Sequence, residues 1–116
     1  MTTKRFHTIF DLENCNSSIG NPKIIQDFIK ELVKAINMKI IGGPIMAEGG
    51  AEAPGLSVLA IIDYSHVSIH SFTNNGEILI DVFSCREYDR DKALEICKKY
   101  FFISETKLHI KEVSWG

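Results

Sequence analysis

The sequence lacks the marks of a disulfide-rich, membrane-spanning or nucleic-acid-binding protein. Its three cysteines are an odd number without C-x-x-C spacing, which argues against a disulfide framework and against a metal site. No stretch approaches the ~18 uninterrupted apolar residues of a membrane span, and the start has no apolar export signal. The basic residues are scattered apart from the pairs Lys4–Arg5 and Lys98–Lys99, in a chain of net charge −2, so nucleic acid is not an expected partner. We therefore expect a cytoplasmic protein with free thiols.

The size and composition indicate one folded unit. The chain has 116 residues, of which 45% are hydrophobic, enough for a single core and too few for two domains. No repeat or low-complexity segment interrupts it. We predict a single domain over residues 1–116.

Hydrophobic periodicity predicts two helices and about six strands. Asn21 and Pro22 form a helix start, and apolar residues recur every three or four positions from there until Asn37. A second helix is predicted over 89–101, and a loop over 47–55. Strands are predicted over 6–12, 38–46, 57–62, 67–72, 78–83 and 107–113. This order favours an α+β fold, a two-layer α/β sandwich in which two helices cover one face of a mainly antiparallel sheet.

The central strands are more apolar than a solvated sheet face requires. We assign their apolar residues to both faces of the sheet. Such a composition predicts a homodimer or a higher homo-oligomer, with sheets stacked face to face or joined edge to edge. The residues concerned are Ile62, Val67, Ile69, Ile78, Ile80, Val82 and Phe83.

Reactive side chains concentrate on two neighbouring predicted strands. One strand carries Ser65, His66 and His70, and the next ends at Cys85. A hydroxyl, two imidazoles and a thiol are suited to covalent chemistry and proton transfer, so we expect an enzyme. Because side chains alternate along a strand, Ser65 and His70 face opposite sides, and their convergence requires a bend or bulge near Ser65.

Several segments of the chain together resemble the prokaryotic S-adenosylmethionine decarboxylases. The resemblance runs in collinear order over essentially the whole sequence. The segments that carry it are His7–Leu12 with Cys15, Gly55–Ser57, Ser65–His70, Ile80–Cys85 and Tyr88–Ala93.

The resemblance implies a pyruvoyl-dependent decarboxylase of polyamine biosynthesis that makes its cofactor from its own chain. Self-cleavage between Tyr64 and Ser65 would leave residues 1–64 and 65–116, with Ser65 converted to the pyruvoyl group that forms a Schiff base with the substrate. Ser57 and His70 would assist this processing, and Cys85 would be the proton donor in decarboxylation. The resemblance gives His66 no settled role.

The two remaining cysteines are interpreted as structural. Cys97 has helical core spacing, and Cys15 lies in a polar loop.

The sequence departs from the family where a nucleoside would bind. Tyr64 stands where the family usually has a glutamate, and Ser71–Asn74 replace a Thr-aromatic-Pro-Glu segment. The loop over 47–53 also lacks the aromatic residue that could stack on an adenine ring or a sulfonium. We therefore expect the decarboxylation chemistry to be retained and nucleoside recognition to be lost.

The altered loop suggests a basic amino acid as substrate. Glu48 and Glu52 lie in it and Asp11 ends the first strand, and carboxylates pair with a guanidinium or an ammonium. The predicted substrate is L-arginine or L-ornithine, with these three residues and Tyr64 as candidate substrate-binding residues. A simpler explanation is that the glutamates only solubilise the loop. Two alternatives stay open, namely S-adenosylmethionine as substrate, and an unprocessed, non-catalytic regulatory paralogue.

Overall fold

The computed structural model describes residues 2–116, which form one six-stranded sheet and two helices. The strands are joined antiparallel in the order β2-β3-β4-β5-β1-β6, so the first strand lies between two strands from the second half of the chain. The elements are β1 Arg5–Glu13, a 3-10 turn Ser17–Gly20, α1 Pro22–Ala35, β2 Ile40–Glu48, β3 Leu56–Ile62, β4 Ser65–Phe72, β5 Glu77–Ser84, α2 Arg90–Phe101 and β6 Lys107–Trp115. The predicted fold class is confirmed.

Each helix begins at a side-chain cap. The Asn21 side chain accepts hydrogen bonds from the backbone N–H groups of Lys23 and Ile24, and Asp89 does the same at the start of α2. Both helices bury their apolar stripes against the same face of the sheet. Phe28 and Phe101 join them there, with ring centroids 4.6 Å apart. The opposite face of the sheet, here called the open face, carries no helix.

The core is made by one face of the strands, which corrects the expectation that their apolar residues divide between both. Ile62, Val67, Ile69, Ile78, Ile80 and Val82 all lie on the helix-covered face and are at most 1% exposed. Phe83 alone of the seven lies on the open face, because it pairs in register with His66 and His7. The strands alternate strictly, so β-branched residues at alternate positions share a face.

The open face is nevertheless apolar, through residues that the sequence pattern did not single out. It exposes Ile45, Leu59, Ile61, Phe72, Val113 and Trp115, each between 41% and 70% exposed. Ile45, Leu59 and Ile61 lie towards the β2 edge of this face, and Val113 and Trp115 lie on β6 at the other edge.

The strand boundaries differ from the predictions by one or two residues, and two of these differences bear on the candidate site. β2 continues to Glu48, so this residue ends a strand and only Glu52 of the two glutamates lies in the following turn. β4 begins at Ser65 and keeps an unbroken register with both neighbours, so the bend or bulge expected near Ser65 is not a feature of the pairing. The register shifts fall in β2 instead, around Gly43, whose φ of 83° suits glycine.

No helix within residues 2–116 is long and apolar enough to cross a membrane.

Candidate active site

Tyr64 ends the turn between β3 and β4, and Ser65 begins β4 with an unusual backbone conformation. Ser65 has a φ of 145°, a conformation that residues other than glycine rarely adopt and that costs about 1–3 kcal/mol. The backbone N–H of Cys85 donates a hydrogen bond of 2.9 Å to the carbonyl oxygen of Tyr64. A strained serine therefore follows a carbonyl group that is already polarised by a donor, as an attack by the serine hydroxyl requires.

The segments on both sides of this turn are fixed. Asp63 exchanges two hydrogen bonds of 3.0 Å with the backbone of Lys39. Ser84 ends β5. Its buried hydroxyl accepts a hydrogen bond of 2.9 Å from the backbone N–H of Arg86 and donates one of 2.8 Å to the Arg86 carbonyl oxygen. Hydrogen bonds therefore tie the residues that flank this turn to neighbouring parts of the fold.

The thiol of Cys85 is exposed beside the same turn, and it differs in this from the other two cysteines. Burial, with the charges of Asp11 and Glu77, raises the pKa of Cys15 to about 11. Burial in the core raises the pKa of Cys97 to about 12. Both thiols are therefore protonated at neutral pH, in agreement with structural roles.

Ser57 and His70 form a second group on the open face. The Ser57 hydroxyl lies 2.9 Å from His70 Nδ1, because the two residues face each other in the register of β3 and β4. Asp11 lies in the same row, two strands away from His70, at a distance of about 10 Å. We call this the histidine end of the sheet. Glu48 and Glu52 are exposed at the same end.

The structure does not bring the two groups together within one chain. Ser65 and His70 are separated by five residues of a straight strand, or about 16 Å. We call the end with Tyr64, Ser65 and Cys85 the cleavage end. A regular strand keeps Ser65 and His70 of one chain apart, and the assistance of Ser57 and His70 in processing stays a prediction.

Sequence reasoning missed a cluster of rings on the open face near the cleavage end, here called the aromatic cluster. His66 stacks on Phe83 with ring centroids 5.4 Å apart, and His7 meets the edge of Phe83 at 5.3 Å. Trp115 lies 6.2 Å from His7 and carries the guanidinium of Arg5 over its ring. Pairing of β1 with β5 creates the cluster, and periodicity alone does not reveal that pairing. The sequence offered one signal, because alternation along each strand assigns His7 and Trp115 to a face of the sheet. It does not reveal that the two faces coincide.

A polar triad lies next to the rings. His7 Nε2 pairs with one carboxylate oxygen of Asp81, and the Ser68 hydroxyl donates to the other at 3.2 Å. The residues from 2 to 116 contain no cluster of three or more histidine, cysteine or acidic residues that could hold a metal.

A family model described as S-adenosylmethionine decarboxylase matches residues 6–113. The chain belongs to this family. A proenzyme of S-adenosylmethionine decarboxylase from Clostridium botulinum is 30% identical over 113 residues, covering 96% of this chain and 93% of the relative. The family members found are decarboxylases made as proenzymes.

Relatives with a different substrate in their name also match. An arginine decarboxylase proenzyme from Caldivirga maquilingensis is 33% identical over 76 residues, which cover 60% of this chain and 57% of that relative. Among solved structures, the adenosylmethionine decarboxylase of Aquifex aeolicus superposes with a TM-score of 0.76 at 18% identity, covering 96% of this chain and 91% of the other. This likeness establishes the fold.

Proposed function

We propose that this protein is a pyruvoyl-dependent amino-acid decarboxylase that generates its cofactor by cleaving its own chain between Tyr64 and Ser65. The observation that carries the proposal is the hydrogen bond from the Cys85 N–H to the Tyr64 carbonyl, combined with the strained φ of Ser65. Together they place a polarised carbonyl and a nucleophile in consecutive residues. Membership of a family of decarboxylase proenzymes supports the same conclusion.

The cleavage itself needs only the chain and one water molecule. The Ser65 hydroxyl adds to the Tyr64 carbonyl, the C–N bond breaks, and an ester replaces the amide. Loss of the Ser65 Cα proton breaks the Cβ–O bond, whose electrons leave with the Tyr64 carboxylate. The dehydroalanine left at position 65 becomes an imine, and water converts it to the ketone with release of ammonia. The Cys85 N–H stabilises the oxyanion of the first step.

The residues around position 65 suit such a group. A pyruvoyl group withdraws electrons from the substrate as carbon dioxide leaves. The exposed Cys85 thiol adjoins the same turn and can give a proton to the substrate α-carbon after that loss. The aromatic cluster supplies ring faces and edges beside it, against which a cation or a planar group can rest.

We further propose that the active site is completed by a second copy of the chain. A twofold axis that lies between two stacked open faces and runs across the strands places the cleavage end of one subunit over the histidine end of the other. His70 of the partner subunit would then reach the processing site, which the chain's own His70 does not. Stacking would also cover the exposed apolar residues of the open face.

For the substrate, we propose L-arginine or L-ornithine. In the same dimer, the carboxylate of Asp11 on the open face approaches the opposite cleavage end, where it can pair with a guanidinium or an ammonium. Glu48 pairs in register with the core residue Leu56, so its side chain lies on the helix-covered side of the sheet and takes no part in this contact. Tyr64 contributes less to substrate binding than the sequence suggested, because its ring packs against the core. The Caldivirga relative is named for arginine.

S-adenosylmethionine is the second candidate, and one observation favours it. The aromatic cluster beside Cys85 offers rings for an adenine or a sulfonium, although the loop over 49–53 has none. A non-catalytic, unprocessed paralogue is the third possibility.

Two measurements distinguish the three candidate functions. Intact-mass analysis of the purified protein should show fragments of residues 1–64 and 65–116, and S65A should stay whole as the control. Release of carbon dioxide should then be compared for arginine, ornithine and S-adenosylmethionine. A chain that stays whole contradicts the enzyme, and release from the sulfonium compound alone contradicts a basic amino acid.

The role of Asp11 has its own test. Asp11→Asn should raise the KM for arginine or ornithine about tenfold or more, since one charge-assisted bond is worth roughly 1.5–3 kcal/mol. Glu48→Gln, at the same end of the sheet but on the helix-covered side, is the matched control and should leave the KM unchanged. An unchanged KM in Asp11→Asn would contradict the role of this carboxylate.

A further inference from the structure

Arg86 contacts the side chain of Tyr64, the residue just before the peptide bond that the proposed function requires to break. Its guanidinium carbon is 4.2 Å from the centroid of the Tyr64 ring, and the guanidinium also donates to the backbone oxygen of Asn37, just after α1. The buried Ser84 hydroxyl holds the backbone of Arg86 through two hydrogen bonds. The side chain therefore starts from a fixed backbone and ends on two fixed partners.

The partners of Arg86 belong to the other product of cleavage. Asn37 and Tyr64 lie within residues 1–64, where Asp63 ties the turn to Lys39, whereas Arg86 lies within residues 65–116. The Arg86 side chain consequently bridges the two future chains at the point where they separate. The Arg86 backbone directly follows Cys85, whose N–H donates to the Tyr64 carbonyl oxygen, so the carboxylate that cleavage creates would form close to this segment.

We propose that Arg86 is a positioning residue for self-cleavage and the counter-ion of the carboxylate that cleavage creates on Tyr64. This inference rests on the proposed function. Before cleavage, the cation–π contact holds Tyr64 so that its carbonyl stays on the Cys85 N–H while Ser65 remains strained. During elimination, the carboxylate takes both electrons of the Cβ–O bond, and the guanidinium offsets this charge.

The proposal is tested by substituting Arg86 and Tyr64 singly and together. The rate of cleavage is followed by intact mass after expression, for wild type, R86Q, R86K, Y64L and Y64F. R86Q and Y64L should each slow cleavage about tenfold or more, and the double variant should be no slower than the slower single variant. R86K should recover part of the rate lost in R86Q, and Y64F should be faster than Y64L because it keeps the ring.

A second readout separates the positioning role from a general loss of structure. Hydroxylamine cleaves the ester intermediate, so the ratio of Tyr64 hydroxamate to finished product should be higher in R86Q than in wild type, because loss of the counter-ion slows elimination of the carboxylate. Arg90→Gln is the matched control, since Arg90 pairs with Asp91 and Glu112 away from the turn. In the uncleavable S65A background, R86Q should lower the melting temperature by less than about 5 °C.

The outcomes distinguish this inference from the function on which it rests. Wild-type cleavage with equally fast R86Q and Y64L would overturn the role of Arg86 alone. Additive effects of the two substitutions would overturn the coupling between them. A wild-type chain that never cleaves would overturn both proposals.

Discussion

Cys85 contributes two different groups to the candidate site. Its backbone N–H binds the Tyr64 carbonyl, and its exposed thiol stands beside the position that becomes the cofactor in our proposal. The first group is independent of the side chain, and the second depends on it entirely. Processing and decarboxylation should therefore respond differently to the same substitution.

We expect Cys85→Ala to keep self-cleavage and lose decarboxylation. The alanine retains the N–H that polarises the carbonyl, whereas loss of the proton donor should lower the rate of carbon dioxide release by about 100-fold or more. Intact mass and carbon dioxide release measure the two steps. Cys15→Ala, remote from the turn, should change neither. An uncleaved C85A chain would show that the thiol is needed for processing as well.

At the scale of secondary-structure elements, the two helices are held together by a polar contact as well as by their core. Glu31 of α1 accepts hydrogen bonds of 2.5 Å from Lys99 and from the Tyr100 hydroxyl of α2. These two bonds lower the pKa of Glu31, and the carboxylate raises the pKa of Tyr100 to about 12. The contact lies beside the Phe28–Tyr100 ring pair.

The contact between Glu31 and α2 predicts that part of the free energy of unfolding depends on pH. Because the pKa of Glu31 is lowered on folding, its contribution is complete above the unfolded pKa, about 4.5, and is lost as the pH falls through the folded value. Glu31→Gln should cost about 0.5–1 kcal/mol at pH 7 and less at pH 3, measured by urea unfolding. Asp27→Asn, which breaks a pair within α1, is the control. An equal loss at both pH values would contradict the linkage.

At the scale of the whole molecule, the sheet interleaves the two proposed product chains. β1, β2 and β3 precede the cleavage point, β4, β5 and β6 follow it, and β1 lies between β5 and β6. Three strand pairs, β3–β4, β1–β5 and β1–β6, therefore join residues 1–64 to residues 65–116. Cleavage should change the loop at position 65 without changing the fold.

The two fragments should accordingly stay together after cleavage. They should elute as one species in gel filtration without denaturant and separate in concentrated urea, because their union rests on strand hydrogen bonds and a shared core. The uncleaved S65A chain gives the reference elution volume. Separate elution of the fragments in native buffer would contradict the role of these strand pairs.

The proposed dimer predicts complementation between two inactive variants. S65A keeps His70 and H70A keeps Ser65, so in co-expressed chains the H70A chain should be cleaved by His70 of the partner subunit. H70A expressed alone should cleave about 10-fold or more slowly. Intact mass of the tagged H70A chain measures both.

A substitution on the open face supplies the control for this experiment. Leu59→Lys in both chains should abolish the complementation by placing a charge between the stacked sheets. Rapid cleavage of H70A alone would show that the residue is not needed for processing, and continued complementation by L59K chains would place the shared interface elsewhere.

The sequence by itself determined the elements and the chemical inventory. Caps such as Asn21 and Asp89, and the alternation of Val67 with Ile69, involve residues only a few positions apart, so local physics sets them. The collinear motifs around Ser65 and Cys85 carried the family resemblance for the same reason, since they too are read within short segments. The sequence predicted Glu48 in a loop, whereas it ends β2, because the end of a strand depends on the partner strand with which it pairs.

Only the tertiary structure decided which of these residues meet. The insertion of β1 between β5 and β6 joins His7 to Phe83, and the straight course of β4 separates Ser65 from His70. The contact of Arg86 with Tyr64 likewise spans a gap of many residues. Such pairings depend on the register of distant strands and on the packing of side chains around them, which the periodicity of a single chain does not encode.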